Sequence, residues 1–346
     1  MNKLKTTFTA LVIAAGGVFT GVTIEGFSGR DPAAMEVTLD REDLQRVLRD
    51  DAESRRKLAQ DAGDELGRQG WLLDRRVMDL GISLREYLNA VEAERAADDV
   101  PEIYTNQNIP GLADLPRVRM VYGRDIWPAG ADKHQLPDEA FFRGRISAMA
   151  TAEKPMVLNI EHFNLDIRNT EQVEVDRYMA MMLTIIGWAK ESAGGLPIGI
   201  YGEVPIRDHL SPFAGDAEMQ AWRAANEYLA PIAEAVDVLY PSLYTHHTDP
   251  AQWLVYADAQ LDEAEQYGKP TAAFHWPRFT SLAGAEARRE MIGKPYWSLQ
   301  IYYTLSRGHD AVIWDEPNHF ANLGHEVWTE QTPWIVGTLD IIGERK

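Results

Sequence analysis

Hydrophobic and polar positions fall into a clear rhythm from residue 99 onward. Short runs rich in β-branched and aromatic residues alternate with longer stretches whose apolar positions recur every three or four residues, the signature of repeated βα units. The pattern predicts strands at 118–122, 156–161, 198–201, 236–244, 271–276 and 311–314. Between them it predicts helices at 137–150, 174–192, 217–235, 250–267 and 296–307, with one or two further strands near Ile103 or in the closing apolar segment 334–342. Near-continuous apolarity suits parallel strands covered on both faces. The expected fold class is α/β, a TIM-like (β/α) barrel of seven or eight units preceded by a helical extension.

The N-terminal third reads differently. Residues 38–97 are highly charged and helical in pattern, with one stripe at Leu44, Val47 and Leu48 and another at Val77, Leu80, Leu84, Leu88 and Val91. Ser83 and Glu86 form a capping box, and Gly63, Gly67 and Gly70 interrupt the segment. It reads as a solvated helical hairpin or stalk, with a partner-binding module as the alternative. Met1 to Lys5 is basic and residues 6–24 are uncharged, which suggests an export signal or, if retained, a membrane anchor. The expected divisions are 1–30 for that segment, 31–98 for the helical extension and 99–346 for a catalytic barrel, with the protein secreted or periplasmic.

Composition narrows the classes. With 346 residues, 45% of them hydrophobic, the chain can bury a large core. A formal charge of −19 argues against nucleic acid as a partner, because phosphate affinity needs clustered Lys and Arg working against that repulsion. An acidic polysaccharide would need a locally basic groove, for which Arg124, Arg168, Arg207 and Arg278 near strand ends are the candidates. Without cysteine there are no disulfides, thiolate metal sites or cysteine nucleophiles. No G-x-G-x-x-G follows a predicted strand and no phosphate-loop motif occurs, which counts against NAD enzymes and nucleotidases; no cofactor is expected.

Candidate chemistry gathers where the strands should stop. Asn159 and Glu161 close the run from Lys154 to Phe163, and side chains two apart on a strand share one face, so an amide and a carboxylic acid project together. In an α/β barrel the C-terminal strand ends carry the chemistry. The remaining ends supply Tyr122, Tyr201 with Glu203, Tyr240 with Tyr244, His275 with Trp276, and Trp314 with Asp315 and Glu316. Carboxylates among aromatic rings suit sugars, whose C–H faces pack on aromatic planes while their hydroxyls need charged or amide partners. Asp315 and Glu316 read equally well as sugar ligands or as a capped turn. His162, His246, His247 and His275 raise a metal alternative, but His246 and His247 point apart on a strand and no H-E-x-x-H occurs. They are read as rim hydrogen-bonders, with no metal expected. Serine-based hydrolysis lacks its G-x-S-x-G elbow.

The order and wording of these segments resemble the hyaluronidase family of glycoside hydrolases, which are (β/α) barrels with a D-x-E strand tip. The resemblance runs through Val157-Leu-Asn-Ile-Glu-His-Phe163, Tyr201-Gly-Glu-Val-Pro205, Leu239-Tyr-Pro-Ser-Leu-Tyr244 and Val312-Ile-Trp-Asp315, over about residues 117–317. It implies a substrate-assisted retaining mechanism on a β-linked N-acetylhexosamine-containing glycan. Glu161 would protonate the leaving oxygen, while the substrate's 2-acetamido carbonyl attacks the anomeric carbon. The family's aspartate is here Asn159, similar to the N-x-E tip of endo-β-N-acetylglucosaminidases, where the amide orients the acetamido group. Tyr201 and Tyr244 would hydrogen-bond the acetamide or ring substituents, and Trp314 would form the floor of the subsite. Packing beside Phe163, Tyr201 and Trp314 is expected to desolvate Glu161 and raise its pKa. Tyr122, Glu203, Tyr240, His275, Trp276, Asp315 and Glu316 are expected to line the substrate. Two alternatives stay open: a two-carboxylate glycosidase pairing Glu161 with Glu203 or Asp315, and a non-catalytic glycan-binding barrel.

Overall fold

The structure, a computed structural model, describes residues 11–13, 19–21, 100–150, 154–280, 283, 289–315 and 328–345. The chain divides into two compact units, Met1–Val100 and Pro101–Glu344. In the first, β1 (Leu11–Ile13) pairs antiparallel with β2 (Phe19–Gly21), within the uncharged stretch read as an export signal. The helical extension lies outside the described residues. Among the described residues no helix is long and apolar enough to cross a membrane.

The second unit is a parallel α/β barrel. In chain order its elements are β3 (Ile103–Thr105), β4 (Arg119–Val121), α1 (Gly123–Ile126), α2 (Glu139–Met149), β5 (Met156–Leu158), α3 (Gln172–Ser192), β6 (Ile198–Tyr201), α4 (Ser211–Ala214), α5 (Asp216–Tyr228), α6 (Ala230–Ala235), β7 (Val238–Tyr240), α7 (Pro250–Glu265), β8 (Ala272–His275), α8 (Lys294–Ser306), β9 (Asp310–Ile313) and α9 (Pro333–Glu344). The ladders run β4-β5-β6-β7 and β3-β9-β8. Parallel bridges Leu239–Thr271 and Ser242–Phe274 join β7 to β8, and Thr105–Arg117 joins β3 to the approach of β4, so seven strands close on themselves.

Side-chain alternation splits the core in two. Val118, Met120, Val157, Tyr201, Tyr240, Phe274 and Val312 fill the barrel interior. Their neighbours Val121, Leu158, Ile160, Ile200 and Leu239 face outward and meet Val175, Met182, Ile185 and Ile186 of α3, whose three-to-four spacing makes one buried stripe. Gly199 is required on the inner face of β6, where a Cβ would fall 2.3 Å from the Tyr240 ring and 2.4 Å from the Val238 carbonyl.

Three expected elements differ in detail. The single helix at 217–235 is two, because Pro231 offers no backbone donor and starts α6 after a break at Leu229. The long strand at 236–244 keeps ladder pairing only in β7, since Pro241 cannot donate, though its carbonyl accepts from the Phe274 amide at 2.8 Å. The closing apolar segment is a helix, α9, with Trp297 of α8 donating its indole N–H to Thr338 at 2.9 Å.

Candidate active site

The interior-facing register of β5 continues past its last ladder residue. The Asn159 backbone N–H donates to the Val121 carbonyl at 3.0 Å, and Ile160 is buried outward among the helices, so Asn159 keeps the inner face and Glu161 follows in the turn at the C-terminal mouth. The Asn159 Oδ1 is buried and has no hydrogen-bond partner. Such an orphan costs of order 1–3 kcal/mol, which a ligand donor would recover. Glu161 stands open to solvent, its side chain 46% exposed, with Arg207 Nη1 at 3.6 Å from Oε2.

One strand along, Gly202 takes φ +69° and turns the chain so that Glu203 enters the same cleft. This cleft of about 220 Å³ is lined by Glu161, Phe163, Tyr201, Glu203, Ile206 and Arg207, among others. Burial pushes the Glu203 carboxyl up to about 8; Arg207 pulls against that shift and the negative charge of Glu161 adds to it. Desolvation was expected at Glu161, and the structure applies it to Glu203 instead. Phe163, expected to cover Glu161, packs its ring in the helix layer, stacked on Tyr178 at 4.6 Å.

Aromatic side chains form a continuous surface beside the two acids. Tyr244 stacks on Trp314 at 5.9 Å and 22°, and meets Trp276 at 5.6 Å and Tyr201 at 5.8 Å. Trp314 donates its indole N–H to the Tyr122 hydroxyl at 3.1 Å. Tyr201 donates to the Ser242 hydroxyl at 3.2 Å and accepts from Arg207 at 3.4 Å. Burial raises the pKa of both Tyr201 and Tyr244, so both remain neutral hydroxyl donors.

Other expected contacts lie elsewhere. Tyr240 is 2% exposed and packs inside the barrel against Phe274 and over Gly199, too deep to reach a sugar. His275 is fully buried on the outer face of β8, where strand alternation puts it between Trp253 and Trp297 and within 3.0 Å of Thr304 Oγ1; burial lowers its pKa to about 3. Asp315 is fully buried and receives Arg278 Nε at 3.2 Å and the indole N–H groups of Trp276 and Trp328, each at 2.9 Å. It is therefore bound internally rather than presented to a ligand, and Trp276, 8% exposed, is partly committed to holding it. Glu316 lies outside the described residues. His246 is a buried partner of Thr280 rather than a rim residue, its pKa lowered to about 2 by burial. No group of three or more His, Asp or Glu side chains among the described residues could hold a metal ion. Arg207, central to the cleft, was legible in sequence only as one basic residue near a strand end; its signal is its place four residues after a strand-tip acid.

No family model matches the chain, and no curated protein does. Among solved structures it is similar to bee venom hyaluronidase at 13% identity and a TM-score of 0.50, over 63% of this chain and 92% of that one. A second structure of bee venom hyaluronidase, in complex with a hyaluronic acid tetramer, aligns at 12% identity and a TM-score of 0.49, over 70% and 95%. A fungal β-1,4-galactanase aligns at 15% identity and a TM-score of 0.35, over 61% and 71%. The first of these supports a shared barrel fold, in agreement with the closed seven-stranded sheet.

Proposed function

We propose that the chain is a glycoside hydrolase acting on a β-linked N-acetylhexosamine-containing glycan by a substrate-assisted retaining mechanism. The observation that carries this reading is the unpartnered Asn159 Oδ1, buried on the inner face two residues before an accessible carboxyl group. A 2-acetamido N–H is the donor it lacks, and accepting that bond would turn the acetamido carbonyl oxygen towards the anomeric carbon. Glu161 would give its proton to the glycosidic oxygen as that bond breaks and the carbonyl attacks. It would then take a proton from the water that opens the oxazolinium ion. A bound sugar stacked on the Tyr244 and Trp314 surface would cover Glu161 and raise its proton affinity when it is needed.

The raised pKa of Glu203 favours a second reading. A carboxyl held protonated at neutral pH has the state of a general acid, and Glu161 would then act as nucleophile or base, as in two-carboxylate glycosidases. A thiazoline analogue of the oxazolinium ion, tested in a cleavage assay with wild type and Glu161→Gln, separates the two. Substrate assistance expects micromolar or tighter inhibition, loss of about 10²- to 10⁴-fold in kcat for the variant, and no turnover of a glycan bearing hydroxyl in place of acetamido. Turnover of that hydroxyl glycan together with thiazoline insensitivity selects the two-carboxylate reading. Binding without product from either protein makes the barrel a glycan-binding module.

Export through the basic Met1 to Lys5 segment and the uncharged run after it is also proposed, with N-terminal sequencing of protein recovered outside the cytoplasm as its check.

A further inference from the structure

The barrel wall carries a second recess, of about 620 Å³, that shares no lining residue with the Glu161 cleft. The topology explains it. β3 passes to β4 through residues 106–116 without a helix, and the two meet at one bridge, so this connection contributes no helical cover to the wall. Strand alternation turns Val118 and Met120 into the barrel and Arg117 and Arg119 outward, and all four border the recess. Lys154, at the foot of β5, and Arg124, just past the end of β4, line the same space.

Among the described residues, charge there is unbalanced. Two carboxylates line the recess, and both are committed: Asp125 to Arg145 of α2, and Asp315 to Arg278. Arg117, Arg119, Arg124 and Lys154 have no carboxylate partner among the described residues. Arg117 reaches only the Asn108 amide oxygen at 3.4 Å, and Arg124 lies over the Tyr122 ring at 5.1 Å. Lys154 has its pKa lowered by burial and by the charges of Arg117 and Arg119. Two buried polar atoms on the lining lack any partner: the Arg119 Nε donor and the Asn106 Oδ1 acceptor. In a chain of net charge −19, Arg117 and Arg119 repelling Lys154, together with an orphaned Arg119 donor, describe a place shaped for an anion.

We propose that this recess binds a phosphoryl group carried on a hydroxylated molecule. Guanidinium groups present parallel N–H donors that match phosphoryl oxygens, and an ammonium adds a point charge. Several cations in one recess match a dianion with three peripheral oxygens better than a single carboxylate, which one guanidinium satisfies. The Asn106 oxygen takes the remaining role, accepting a hydroxyl of the carrier. The recess borders the aromatic surface at Tyr122 but contains neither Glu161 nor Asn159, so its test does not depend on the proposed glycosidase chemistry.

Isothermal titration of the full chain with glycerol phosphate, inorganic phosphate and glucuronate tests it. Glycerol phosphate should bind saturably, several-fold tighter than inorganic phosphate and at least about tenfold tighter than glucuronate, with affinity falling as salt rises. Arg119→Gln and Lys154→Gln should each weaken glycerol phosphate by about tenfold or more, while Glu161→Gln leaves it unchanged. Asn106→Ala should erase the preference over inorganic phosphate. Absence of saturable phosphate binding, glucuronate bound as tightly, or affinity unaltered in the Arg119 and Lys154 variants overturns the site. Equal affinity for the two phosphates overturns the hydroxylated carrier. Should Arg119→Gln fail to fold, Lys154→Gln with an unchanged melting temperature decides the matter alone.

Discussion

Polar residues end the strands on both sides of the barrel mouth, but β5 and β6 leave theirs facing a cleft while β8 and β9 bury theirs in internal contacts. At β9 the Asp315 carboxylate meets a guanidinium and two indole donors, all packed away from water. At β8 His275 is enclosed by tryptophans in the helix layer. At β5 and β6 Glu161 and Glu203 have Arg207 as their nearby cation among the described residues, 3.6 Å from Glu161 and itself partly open to solvent. The difference lies in partners: a strand-end charge with its hydrogen-bonding capacity filled supports the fold, and one left short of partners beside a cavity is available to a ligand.

Three measurements press on this contrast, the largest effect first. Arg278→Met should leave Asp315 charged, buried and short of its cation, lowering stability in denaturant titration by about 3–5 kcal/mol. A loss below about 1 kcal/mol would mean that the β8–β9 side is not held by this pair.

Glu203→Gln should change stability in a pH-dependent way. The folded-state pKa of about 8 lies above the ordinary 4.5, so the folded protein holds this proton more tightly than the unfolded chain. The cost of ionising Glu203 in place is therefore absent below about pH 4.5, grows as pH rises, and is complete above about 8. The variant should match wild type at pH 4 and exceed it at pH 9 by about 2–3 kcal/mol, less than the roughly 5 kcal/mol of the whole shift because solvent reaches the half-buried carboxyl. A constant difference across that range would mean that the folded protein does not hold this proton.

The smallest effect belongs to Glu161. Half-exposed as it is, Glu161→Gln should shift stability by less than about 0.5 kcal/mol in the same titration, whatever it does to cleavage. A loss comparable to that of Arg278→Met would place Glu161 among the structural charges and erase the contrast.

Much of the architecture was legible because strand periodicity is local. Largely apolar runs at 156–161 and 198–201 suit parallel strands covered on both sides, and alternation within them already put Asn159 and Glu161 on one face. The rotation of Tyr122, Tyr244 and Trp314 towards one another followed from the same rule once the barrel closed. Tyr240, His275 and Asp315 carried identical local signals and went elsewhere, because depth in the barrel, choice of face and nearby partners are set by neighbouring strands rather than by the segment itself. The same holds for the desolvated acid, since the closed fold encloses Glu203 more than Glu161.

Sequence by itself thus determined the repeating βα order, the shared face of Asn159 and Glu161 and the lack of thiol chemistry, all of which depend on residue type and on spacings of two to four. Tertiary structure alone decided which carboxyl holds its proton to about pH 8, which strand-end charges are internally paired, and where unpaired cations gather on the wall. Those outcomes depend on distances between segments far apart in the chain, and electrostatic and desolvation energies vary steeply with such distances.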